Sequence, residues 1–242
     1  MPNNIPDKRV MLFSGGMDSY CLRHIYRPDV LLFFKLGTVD NERELQNLLE
    51  MPFVNDIEII DLPLVDFEME NKIIPHRNSI MALIASNYGN QIYLGATAGD
   101  TTKDKDYVFK SQIEGMLNYF SLDTHKTPIK AYPFTLNMPF KELSKAEILG
   151  RFIKEKGDLN DLTKYSRSCY EGTKYECGKC RACIRKAVAL TLHGVRVETL
   201  FEVNPFSSIT DEAVNKLRER GQEYLDFIKA KAIVKGTRMK ND

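Results

Sequence analysis

The sequence predicts an α/β fold built on a parallel sheet, and three observations predict it. Short apolar runs recur at residues 10–13, 29–34, 57–62 and 91–96. Stretches with helical apolar spacing lie between them. A Ser-Gly-Gly turn follows the first run directly, at Ser14, Gly15 and Gly16. Strands alternating with helices pair in parallel through right-handed crossovers. Ligands of such sheets sit beyond the carboxyl ends of the strands, where Gly16, Gly37 and Gly95 all fall.

Each element has its own signal. Residues 10–13 read as a buried strand and residues 20–26 as a helix. Residues 29–34 read as a second strand, ended by Gly37. Residues 41–50 carry apolar side chains only at Leu45, Leu48 and Leu49, one face of a helix. Residues 57–62 are a third strand, 78–88 a buried helix and 91–96 a fourth strand. Residues 107–119 read as helix and 129–133 as a shorter strand. Residues 140–156 read as a long helix, with Leu143, Ile148, Leu149 and Phe152 on its apolar side. After Gly157 the pattern changes: residues 165–183 lack apolar periodicity, whereas 181–193 and 210–234 look helical. The basic tail, 235–240, reads as a solvated end. This gives an α/β domain over 1–160, a cysteine-bearing segment over 161–193 and a helical extension over 194–242.

Composition sets bounds. A chain of 242 residues can bury a core without covalent staples. With 34 basic and 33 acidic residues there is no general field for nucleic acid or membrane. No apolar run is long enough to span a bilayer, and the first nine residues are polar. Five cysteines without a secretion signal point to a metal or reactive thiols and to a cytoplasmic protein.

The stretch Phe13-Ser14-Gly15-Gly16-Met17-Asp18-Ser19 carries the first chemistry. Paired glycines let backbone approach a ligand, and successive N–H groups at a helix start form an anion nest. The competing reading is a tight turn with Asp18 or Ser19 as N-cap. No Lys-Ser/Thr pair follows, which excludes a Walker A loop. The full string resembles the pyrophosphate loop of the N-type ATP pyrophosphatases. That resemblance implies ATP held at its β,γ-phosphates while AMP is transferred.

Cys169, Cys177, Cys180 and Cys183 form C-x7-C-x2-C-x2-C, the donor set of a closed zinc site. Gly178 permits the turn between two ligands. An iron–sulfur cluster and a redox pair use the same residue type. Cys21 stands apart on the apolar side of the first helix and reads as core. Lys174, Lys179, Arg181, Arg185 and Lys186 around the cluster read as a solvated surface.

Loop and cysteines together resemble the 7-cyano-7-deazaguanine (preQ0) synthase family, QueC-like, over about residues 9–187. The matching elements are the loop through Tyr20-Cys21-Leu22; Ile74-Pro75-His76-Arg77-Asn78, like VPGRN with His for Gly; Gly95-Ala96, Asp100, Asp104 and Val108-Phe109-Lys110-Ser111, like GxxxxD…PDxRxxFxxS; and Ser168-Cys169-Tyr170 with Cys177 to Cys183. The resemblance implies a Rossmann-like, adenine nucleotide alpha hydrolase-like sheet with helices on both faces, plus a zinc-binding C-terminal part. It implies a ligase that converts 7-carboxy-7-deazaguanine, ammonia and ATP to preQ0. Ser14, Gly15, Gly16, Asp18 and Ser19 would hold pyrophosphate, with Phe13, Met17 and Gly37 lining the ATP site. Asp18 would reach Mg²⁺ through water. Arg77 would pair with a phosphate or the substrate carboxylate, beside Asn78; Asp100 and Asp104 would meet Mg²⁺ or the deazaguanine edge; Lys110 would meet a phosphate. A homodimer and no direct nucleic-acid contact are also implied. The sequence departs from the family where Lys35-Leu36-Gly37-Thr38-Val39 replaces a Tyr-Gly-Gln stretch, and where Asp106 stands near the usual arginine. Three other functions stay open: a ligase for another amine, a tRNA-thiolating enzyme and a ligand-binding homologue without turnover.

Overall fold

A computed structural model describes residues 7–121, 133–169, 171 and 175–238. Five short strands form one parallel sheet: β1 (Arg9–Leu12), β2 (Val30–Lys35), β3 (Ile57–Asp61), β4 (Gln91–Tyr93) and β5 (Thr135–Asn137). Their order is β3-β2-β1-β4-β5, so the order reverses beside β1. Val10 pairs with Val30 on one side and Ile92 on the other. That central place explains the unbroken apolar run: Val10 and Met11 point to opposite faces and both are fully buried. The edge strand β3 carries Glu58, Ile59 and Asp61, and its outer residues are largely exposed.

The contacts divide the chain into two compact units. The first comprises Met1–Ser14, Tyr26–Ala96 and Asp100–Lys141. It holds the sheet with α2 (Val39–Leu49), α3 (Arg77–Ala85) and α4 (Tyr107–Ser121). Val10, Leu12, Leu32, Phe34 and Ile92 share a core with Ala82 and Ala85 of α3 and with Phe109, Ile113 and Leu117 of α4. Small residues on α3 let that helix approach the sheet closely.

The second unit comprises Gly15–Ile25, Thr97–Gly99 and Glu142–Asp242. It holds nearly all of α1 (Met17–Tyr26), then α5 (Lys145–Lys154), α6 (Leu159–Tyr165), α7 (Arg181–Leu192), α8 (Pro205–Ser208), α9 (Asp211–Arg218) and α10 (Gln222–Arg238). The fully buried Phe152 of α5 meets Tyr20 and His24 of α1 edge-on, at ring distances of 6.2 and 4.8 Å. The apolar helix α7 is the spine of this unit and packs against α5, α8 and α10.

Several boundaries differ from the sequence expectation. The first helix begins at Met17 rather than Tyr20, which puts Asp18 and Ser19 in its first turn. The long helix expected over 140–156 is α5 alone, because Ser144 and Glu147 form a capping box that starts it. The strand expected over 91–96 stops at Tyr93, where Ala96 N–H bonds the Leu94 carbonyl in a tight turn. The helix expected over 210–234 is α9 and α10, broken at Gly221 with φ +53°. The strand expected over 129–133 falls almost wholly outside the described residues, and β5 lies just after it. Tyr170, Lys174 and the last tail residues, 239–242, also lie outside them.

Candidate active site and metal centre

The sequence-predicted site residues fall into two sets, one in each unit. In the second unit, Gly15 takes φ +74°, a conformation only glycine adopts freely, and α1 starts two residues later. The turn is pinned from a distant part of the chain. Arg167 N–H bonds the Gly15 carbonyl at 3.1 Å, and Met17 N–H points at Ser168 Oγ at 3.5 Å. Ser19 is buried and its hydroxyl donates to the Gly16 carbonyl at 2.9 Å, so it is held within the loop. Phe13 and Ser14 belong to the first unit, where Ser14 is exposed and Phe13 is buried against Phe53.

Asp18 meets a residue that the sequence reading missed. Lys145, the first residue of α5, bonds Asp18 Oδ2 through Nζ at 2.5 Å. Its side chain is 8% exposed. A buried cation at a helix N-terminus opposes the helix dipole, so this position costs stability unless anions face it. Asp18 supplies one, and its buried Oδ1 has no hydrogen-bond partner. The arrangement combines two helix starts, an ammonium and an oxygen with spare capacity, which suits a polyanion with its divalent cation. One signal was legible beforehand: a lysine inside the Ser144–Glu147 capping box, where acidic residues are the norm.

The four cysteine sulfurs lie within 4.8 Å of one another, with Cys177 and Cys183 Sγ atoms 3.9 Å apart. Tetrahedral zinc with Zn–S near 2.3 Å needs sulfurs about 3.8 Å apart. Cys180 N-caps α7 and Cys183 lies in its first turn. Hydrogen bonds from Cys180 and Cys183 push the Cys169 thiol far down, helped by the Cys177 and Glu171 N–H groups. Its partnership with Cys169 pushes Cys180 up to about 12. Gly178 takes φ +74°, and a Cβ there would run into the Val203 carbonyl. Cys21 is fully buried, and burial pushes its thiol well up, which leaves it inert.

The solvated-surface expectation for the basic residues near the cluster is corrected at two positions. Lys186 is buried and bonds Glu176 Oε2 and the Ser166 carbonyl, each at 2.6 Å. Glu176 Oε1 accepts the Ser168 N–H at 2.7 Å. A buried ion pair therefore braces the segment that touches both the glycine turn and the first cysteine. Arg185 is bonded to buried Glu223, at 2.9 and 2.6 Å. Neither pairing has a sequence signal, since Glu176 lies in an aperiodic segment and Glu223 lies 38 residues beyond Arg185. Lys179 and Arg181 are exposed, as expected.

In the first unit, Gly37 takes φ +80° at the exit of β2, and Thr38 N-caps α2. Buried Asn41 ties this exit together through the Leu36 N–H and Phe34 carbonyl, at 2.6 and 3.0 Å. Its amide also reaches Glu44 at 3.4 Å. Glu44 went unnoticed in the sequence because it sits among ordinary helix charges. Burial of its carboxyl pushes its pKa up to about 7, against the pull of Arg77. Arg77 opens α3 after His76, which is left-handed at φ 59°. Buried Asn78 donates to Asp104 Oδ2 at 2.8 Å. Asp100 pairs with Lys105 at 3.5 Å. Arg77, Asn78 and Asp104 are thus brought together with Glu44. The Lys110 ammonium donates to Glu114 and to the Leu136 carbonyl at 2.5 and 2.6 Å, bracing α4 on β5. Asp106 accepts the Phe109 N–H at 2.8 Å and so caps α4.

Comparison with known proteins adds relatives to this geometry. A family model described as Queuosine biosynthesis protein QueC matches residues 43–194. The 7-cyano-7-deazaguanine synthase of Thermoplasma volcanium is 27% identical over 210 residues, spanning 74% of this chain and 84% of that protein. That of Marinobacter nauticus is 22% identical over 229 residues, 81% of this chain and 98% of its own. That of Methanococcus aeolicus is 30% identical over 162 residues, 62% of this chain and 65% of its own.

Proposed function

The chain belongs to the QueC family of queuosine biosynthesis proteins, and from that premise we propose that it is an ATP-dependent ligase making 7-cyano-7-deazaguanine from 7-carboxy-7-deazaguanine and ammonia. The observation that carries the reading is the pairing of buried Lys145 with partly buried Asp18 at the glycine turn, with the buried Asp18 Oδ1 still able to accept. In the proposed chemistry a substrate carboxylate oxygen attacks the α-phosphorus of ATP and pyrophosphate leaves. Ammonia displaces AMP from the acyl adenylate and gives the amide. The amide oxygen then attacks the α-phosphorus of a second ATP and pyrophosphate leaves again, and loss of AMP and of both N–H protons leaves the nitrile. Such steps ask the protein for position and charge stabilisation rather than covalent work.

In this proposal the N–H groups of Gly15 to Ser19 and the Lys145 ammonium bind the leaving pyrophosphate. Asp18 would hold Mg²⁺ through water, which would offset charge on the polyphosphate. Arg77, Asn78, Asp100 and Asp104 would bind the deazapurine acid. Cys169, Cys177, Cys180 and Cys183 would hold a zinc ion, which supplies a structural crosslink. The domains, the cytoplasmic location and the homodimer remain part of the same proposal. Inert Cys21 argues against the sulfur-transfer alternative.

The test is Lys145→Met. It should lower AMP formation about 100- to 1,000-fold, the usual cost of one charge-stabilising group, with the circular dichroism spectrum unchanged. Wild-type rates of AMP release in that variant would remove the basis of the reading.

A further inference from the structure

The family match ends at residue 194, yet two residues beyond it reach into the turn that follows β4. Thr97 is fully buried, and its hydroxyl accepts from Arg185 Nη2 at 2.9 Å. Arg185 in turn is clamped through Nε and Nη2 by Glu223 on α10. Arg220 donates to the Gly99 carbonyl and stands 3.7 Å from Glu223 Oε2. Gly99 completes the arrangement, because a Cβ there would strike both the Arg185 guanidinium and the Glu223 carboxylate. Between the two anchored residues, Ala98 N–H bonds the Leu143 carbonyl at 3.0 Å, so this bond forms only while the turn keeps its place. Glu223, Arg185 and Arg220 are each under about a tenth exposed at the side chain. A desolvated, three-membered charge cluster of this kind holds one geometry firmly, because losing a member strands the others.

We propose that Glu223 is a positioning residue: through Arg185 and Arg220 it fixes the Thr97–Gly99 turn, and the C-terminal helix α10 thereby acts as a strut for the substrate-binding segment that continues into Asp100. The role rests on the proposed ligase reading for the identity of that substrate. It gives the residues after 194 a part in acid-substrate binding and none in ATP binding.

The experiment uses the full chain, with Glu223→Gln, Gly99→Ala and the double variant. Hydrogen exchange reads the Ala98 amide, and steady-state kinetics read KM for 7-carboxy-7-deazaguanine and for ATP. Glu223→Gln should speed Ala98 exchange by about tenfold, the loss of one charge-assisted bond. KM for the acid should rise by a similar factor, while kcat and KM for ATP stay within about twofold. Gly99→Ala should do the same by displacing the same side chains, and the double variant should add nothing further. Should Glu223→Gln fail to fold, Thr97→Val removes one hydroxyl and should shift the same two readouts. Unchanged Ala98 exchange overturns the strut, and faster exchange with both KM values unmoved overturns its role in substrate binding. Wild-type protein that processes no deazapurine acid defeats the ligase reading instead, and the exchange result then decides the strut alone.

Discussion

His76 stands where the resembling motif has glycine, and its backbone explains why glycine suits the place. At φ 59° and ψ 8° it is left-handed immediately before α3. An L-residue with a Cβ strains there by about 1–2 kcal/mol. His76→Gly should therefore stabilise the protein by about 1 kcal/mol, after glycine's extra unfolded entropy is subtracted. A denaturant titration with an unchanged slope checks this; a loss of stability contradicts it. Glu44 makes a pH-dependent statement at the same scale. Its carboxyl ionises near 4.3 in an unfolded chain and near 7 in the folded one. The proton is thus held longer in the folded state. The contribution is full below the unfolded pKa and is lost as pH rises through about 7. Between those limits wild type should lose roughly 3–4 kcal/mol relative to Glu44→Gln, about 2.7 pKa units at about 1.4 kcal/mol each. Parallel stability curves for the two proteins would show that Glu44 ionises normally.

At the scale of elements, the four-cysteine cluster and the glycine turn share one brace. Glu176 precedes Cys177, pairs with Lys186 on α7 and takes the Ser168 N–H beside Cys169. Residues Arg167 and Ser168 in turn hold Gly15 and Met17. Removing one partner of such a buried pair typically costs about 3–5 kcal/mol. Glu176→Gln, a milder change, should cost about 2–3 kcal/mol and weaken ATP binding while four thiolates still bind one zinc. Calorimetry with ATP and metal analysis on the same sample check both halves. Lost zinc with unaltered ATP affinity would contradict the brace. Stripping zinc with a chelator should likewise loosen the glycine turn, read as faster exchange of the Met17 amide.

At the scale of the molecule, legibility followed the range of the interaction. Apolar period and turn residues are local, so the sheet, its alternation with helices and the four-cysteine set were readable from the chain. The capping box, Ser144 to Glu147, was equally local but was hidden inside an apolar pattern that ran past it. What stayed hidden depends on pairs that only the fold brings together: Lys145 with Asp18, Lys186 with Glu176, and Arg185 with Glu223. A lone lysine or arginine looks solvated until its partner is in place. Strand order hid for the same reason, since only the folded sheet brings β4 beside β1. Among the described residues no helix is long and apolar enough to cross a membrane. The central claim, an adenylating ligase for a deazapurine acid, is tested most directly by one product assay. Zinc-loaded protein is incubated with ATP, Mg²⁺, ammonium and 7-carboxy-7-deazaguanine, and AMP and nitrile are followed by chromatography and mass spectrometry. The account predicts AMP formed only with the acid present, at two per nitrile. Folded, zinc-loaded protein that releases no AMP would contradict it.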